Sequence, residues 1–214
     1  MKTDIFNFKF WYVWLIIVLL YALITYVNNS FIYTDSFYYA TLSDKLDISR
    51  ITEMIALQHK FQILGYLFMP VVLILKLWII AGVLFTGLYL LQQEVNYKNC
   101  LKISLIAELV SVVAILVKTT WLMIDKPGNA IDLQYFSPLS LTQLLHINNL
   151  PKYLFYPLQL FNVFEVAYWM VLAFGIMAFT HQRWAKSLRT VASSYGLALG
   201  IWVIFVVFIQ VQFS

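Results

Sequence analysis

The stretch FQILGYLFMPVVLILKLWIIAGVLFTGLYLL, Phe61 to Leu91, decides the class of fold, because Lys76 is its only charged residue. A run of this length and polarity is longer than one untilted membrane crossing needs, and a soluble domain has nowhere to bury it. Pro70 divides it. From Pro70 to Leu91 the residues suffice for one span. Upstream, Ile48, Ile51, Ile55 and Phe61 recur at near-helical spacing among Ser49, Arg50, Glu53 and His59, which predicts an amphipathic helix over 48–62 lying on the membrane surface and feeding the span.

The rest of the chain has the same character. Hydrophobic residues make up 62% of the 214 and charged ones 11%, with a mean hydropathy of +0.81, against about 45–50% and about 25% in soluble domains. Four further apolar runs predict spans over 10–27, 101–124, 154–180 and 191–213. The expectation is an all-α polytopic bundle of five transmembrane helices in a single domain, 1–214. The first run follows Lys2 and Lys9 as a secretory signal would, yet it is too long for one and ends in Tyr26-Val27-Asn28-Asn29 instead of a cleavage site. Asp125-Lys126-Pro127-Gly128-Asn129 marks a turn after the third span. A short interfacial helix is expected over 140–146, with Leu141, Leu144 and Leu145 on one side.

Short loops rich in Lys and Arg stay cytoplasmic. With the N-terminus inside, the inner segments hold Lys2, Lys9, Lys98, Lys102, Arg183, Lys186 and Arg189, seven cations. The two long outer loops hold five: Lys45, Arg50, Lys60, Lys126 and Lys152. This predicts a cytoplasmic N-terminus and an outward C-terminus. Aromatic residues at span ends, among them Trp11, Tyr26, Trp121, Tyr153 and Trp184, fit interfacial anchors. The composition points to a bacterial inner membrane.

Four ionisable side chains fall inside the proposed spans: Lys76, Glu108, Lys118 and Glu165. Each costs on the order of +2.5–3.5 kcal/mol on insertion scales, so each needs a partner, water or a route to the interface. Lys118 and Glu108 lie near opposite ends of the third span and can reach outward. Glu165 lies near the middle of the fourth. Lys76 is its expected partner; a protonated glutamate bonded to a neighbouring helix and a proton or ion relay are the alternatives. In the fifth span Ala192, Gly196 and Gly200 form a stripe of small residues where a helix of this chain, or of a partner, can approach closely.

Motifs for chemistry are missing. Cys100, the single cysteine, excludes a disulfide framework, a dithiol pair and a thiolate zinc cluster. His59, His146 and His181 sit in separate segments without metalloprotease spacing, and the loop carboxylates show no repeated spacing, so neither a metal site nor any cofactor is expected. There is no phosphate-binding glycine loop, and Ser193-Ser194 lacks triad partners. Asn28-Asn29-Ser30 matches a glycosylation sequon but abuts the first span. Arg183, Lys186 and Arg189 suit topology and lipid headgroups better than nucleic acid.

The stretch Asn162-Val163-Phe164-Glu165-Val166-Ala167-Tyr168-Trp169, followed by Leu172, Gly175, a short loop with Lys186 and a last apolar span, resembles the bacterial branch of the Yip-domain family of five-span membrane proteins. Tyr97-Lys98-Asn99 before the third span looks like the polar link at the corresponding place, and Gly65-Tyr66 with Pro70 is similar to a Gly-Tyr-x-x-x-Pro element of eukaryotic members, although it precedes the second span here. The resemblance implies five helices, a cytoplasmic N-terminus and no catalysis. Eukaryotic members recruit small GTPases through a long N-terminal segment; with about nine residues before the first span, that route is not expected here. The expected function is therefore non-enzymatic: a membrane scaffold or accessory subunit that binds lipid and either another membrane protein or a second copy. The alternative is a small transporter or permease subunit with an intramembrane glutamate path.

Overall fold

The computed structural model describes residues 6–43, 46–125, 136–144 and 152–212. It is an all-α polytopic bundle in which five helical segments are long and apolar enough to cross a membrane. In chain order the elements are α1 (Phe10–Phe31), α2 (Asp35–Leu42), α3 (Ile48–Leu90), α4 (Tyr97–Ile124), a single turn α5 (Leu141–Leu144), α6 (Phe155–Leu160), α7 (Val163–Thr180), α8 (Trp184–Val191) and α9 (Leu197–Gln212). A 3₁₀ turn, Lys152–Leu154, leads into α6, and a π-helical turn, Ala192–Gly196, joins α8 to α9 as one crossing segment.

Side-chain caps start the helices where the sequence offers them. Thr34 accepts from the Phe37 amide to begin α2, and Asn96 accepts from the Lys98 amide to begin α4. α4 is the centre of the bundle, packed most extensively on α7 and also on α3 and α1. Its buried face carries Cys100, Ile103, Ala107 and Val112. Against these lie Leu77, Leu84 and Leu88 of α3, Leu172 and Ile176 of α7 and Ile17 of α1. The starts of α1, α4 and α8 and the finishes of α3 and α7 share one end of the bundle, where Lys9, Lys98, Lys102, Arg183, Lys186 and Arg189 gather. At this basic end the segment before α1 folds back on the core. Phe6 is buried against Phe179, its carbonyl accepts from Lys102 Nζ at 2.8 Å, and the same ammonium lies over the Phe8 ring. Gln182 donates to Gln93, tying the two loops there together.

Three boundaries differ from the sequence reading. The helix expected over 48–62 is present but is not separate. α3 is continuous for 43 residues with Pro70 inside, about 65 Å at 1.5 Å per residue. Proline removes one i to i−4 hydrogen bond without ending a helix whose flanks remain apolar and packed. The expected fourth span, 154–180, is two elements, because Asn162 caps a fresh helix after the break at Phe161. The last crossing segment starts at Trp184, ahead of the expected Val191. Of the expected interfacial helix over 140–146, Leu141–Leu144 is helical, while Leu145 and His146 lie outside the described residues, as do most of the turn after Asp125 and the last expected span residue, Phe213.

Candidate functional site

The polar groups inside the bundle meet at mid-depth. Counted from the basic end, Tyr21 and Glu108 lie about 16 Å in and Lys76 about 21 Å, near the middle of a hydrocarbon layer about 30 Å thick. Glu108 projects from the buried face of α4 and is 1% exposed. Its Oε1 accepts from Tyr21 Oη of α1 at 2.6 Å and from Lys76 Nζ of α3 at 2.8 Å. One carboxylate thus joins three helices. Thr119 Oγ1 donating to Asn28 Oδ1 at 2.9 Å makes a second α1–α4 tie at the far end. That bond engages the side chain of the sequon asparagine in the last turn of α1.

Lys76 therefore pairs with Glu108, and the expected Lys76–Glu165 bridge is not formed. The reason is the late start of α7. Glu165 occupies its first turn instead of mid-span, where the positive pole of the helix favours a carboxylate. Its amide donates to the Asn162 cap at 2.7 Å, and its Oε1 accepts from Trp169 Nε1 at 2.9 Å and from Tyr195 Oη of the π-turn at 3.1 Å. The strand-like pairing of Ser140 with Asn162 holds the chain before α7 against the 139–141 loop. Asn162→Ala is expected to lower stability by about 1 kcal/mol through loss of the cap, measured by unfolding in mixed micelles, with Asn162→Asp retaining the wild-type value.

Tyr168 of α7 is buried beside this cluster. Its ring lies tilted at 5.5 Å from that of Tyr195, which bonds Glu165. Among the described residues neither the Tyr168 hydroxyl nor Glu108 Oε2 has a hydrogen-bond partner, although both are buried. The cluster holds an ion pair, and the side-chain donors to its two carboxylates are lysine, tyrosine and tryptophan. Sequence reasoning found the charged members and missed Tyr21, Tyr168 and Tyr195. The available signal was depth: tyrosines at span ends anchor in the interface, while tyrosines well inside a span need an acceptor.

Lys118 is half-buried on α4, about 9 Å before its far end, and takes no part in the cluster. The small-residue stripe is divided. Gly196 packs on the Trp169 ring, 2.7 Å from where a Cβ would stand, whereas Ala192 and Gly200 are exposed, and a Cβ on Gly200 meets nothing. The π-turn across Ala192–Gly196 disrupts the regular four-residue register. Two further close approaches fall outside the stripe, at Gly87 against Ser194 and at Gly175 against Ile103. Of the histidines, His59 pairs with Asp35 of α2 at 3.0 Å and His181 ends α7 in the left-handed conformation. No family model, no curated protein and no solved structure matches the chain.

Proposed function

We propose that this chain is a non-enzymatic integral membrane scaffold or accessory subunit. It lies in a bacterial inner membrane with its basic end and N-terminus cytoplasmic, and is related to the Yip-domain proteins that its second half resembles. The observation that carries this reading is α3. At about 65 Å it is more than twice as long as the hydrocarbon is thick, and its first half holds an exposed apolar row including Leu57, Phe61 and Leu64. α2 covers only the side that bears Ile51 and Ile55. A surface of this kind binds another protein, because water is the unfavourable neighbour for it. The polar interior supports the same reading. Glu108 ties α1, α3 and α4 together, and Glu165 is held by its own helix and the π-turn, as suits a framework better than a substrate path.

The test is purification in mild detergent from cells at native expression, with the mass of the particle and its protein content measured. A stoichiometric membrane protein, or a second copy, is expected with the wild-type chain and is expected to be lost with Leu57→Glu plus Phe61→Glu. A particle holding one chain and lipid alone contradicts the proposal.

A further inference from the structure

Along the first half of α3 the exposed apolar side chains Met54, Leu57, Phe61, Leu64 and Phe68 follow one another at intervals of three, four, three and four residues. Val71, Leu75 and Trp78 continue the rhythm, and all eight are 42–57% exposed. This seam lies opposite the buried face of α3, where Leu73, Leu77, Ile80 and Leu84 meet the rest of the bundle. Within a membrane an apolar outer face needs no explanation, since lipid covers it. Beyond the membrane it does. Thr52, Glu53, Gln58, His59, Lys60 and Gln62 share that half of the helix, and among these polar residues the seam keeps the 3.5-residue period of helices that pack side by side in a left-handed supercoil. Ile63 and Leu67 are exposed off the two central rows, and Leu67 directly flanks them.

We infer that the seam on α3 is covered by α3 of a second copy, in a parallel two-fold pair about an axis along the membrane normal; this rests on the scaffold reading and names its partner. Two copies with one membrane topology present α3 to each other in parallel, so equivalent residues meet in layers: Met54, Phe61 and Phe68 in one set, Leu57, Leu64 and Val71 in the other. The flanking charges allow it. In such a pair Glu53 faces Gln58 of the other copy and Lys60 faces Gly65, so no like charges oppose each other across the seam. Gly65 adds no bulk there, since a Cβ at that position meets nothing within its own chain. His59 and its partner Asp35 belong to the side on which α2 packs, leaving the seam clear.

Single cysteines at Leu57, Phe61 and Leu64, and off the seam at Ala56 and Ile63, test this by oxidation in native membranes at native expression. The native Cys100 is fully buried and serves as the background control. Disulfide-linked dimers are expected at 57, 61 and 64 in at least tenfold higher yield than at 56 and 63. As a second measurement, differently tagged copies are expected to co-purify and to separate when Leu57 and Leu64 are both changed to Glu. Equal yields on and off the seam, or failure of the tagged copies to associate, overturn the dimer. Adducts to a different protein also overturn it and leave the scaffold reading standing, whereas no protein adduct from any position overturns both.

Discussion

Lys76→Ala is expected to destabilise the bundle by about 3 kcal/mol, because it leaves the buried Glu108 carboxylate without its cation, Lys76 itself being 45% exposed. Glu108 is 1% exposed and sits at mid-depth, so without the ammonium 2.8 Å away its carboxylate keeps only the Tyr21 hydroxyl. A carboxylate left in an apolar layer with one hydrogen bond and no cation is poorly compensated. Lys76→Met combined with Glu108→Gln removes both charges at similar volume and is expected to recover most of the loss. Equilibrium unfolding in mixed micelles reads both variants against wild type. A Lys76→Ala protein as stable as wild type, or a double variant less stable than the single, would show that the pair is not formed.

A comparable effect is expected where α3 touches the π-turn. A Cβ on Gly87 collides with the Cβ of Ser194, and both atoms are bonded directly to helical backbone and cannot rotate away, so Gly87→Ala must push the elements apart at a cost of about 2 kcal/mol. Ser194→Gly in the same chain clears the space and is expected to restore most of the stability. Gly200→Ala is the control: nothing lies within 4 Å of its Cβ, and alanine's preference for the helix makes the change neutral or stabilising by up to about 1 kcal/mol. If both alanine variants lose stability alike, the close approach at Gly87 is not the cause.

The bundle was legible from hydropathy because each crossing needs a long apolar run and little else. What hydropathy cannot register is where a helix begins inside such a run. Asn162 three residues before Glu165 carries a capping signal; without it Glu165 reads as a mid-helix residue facing Lys76, which in fact meets Glu108. Pro70 misled in the opposite direction. It reads as a boundary, yet helix continues on both sides of it because one missing donor is a small loss in a helix of 43 residues. The stripe at Ala192, Gly196 and Gly200 presumed regular spacing, which the π-turn breaks. In each case local backbone geometry, invisible to a hydropathy pattern, decided which polar and small residues meet.

The scaffold reading and the paired seam both depend on α3 standing as one rod beyond the bilayer. The direct measurement is a pulsed electron–electron distance between spin labels at Ala56 and Leu90, in membranes diluted with unlabelled chain so that only distances within one copy contribute. A continuous helix places these positions about 51 Å apart, and that distance is the result expected. A distance near 37 Å, the separation if the helix turned through a right angle at Pro70, would mean that the first half of α3 lies on the membrane surface and would contradict the account.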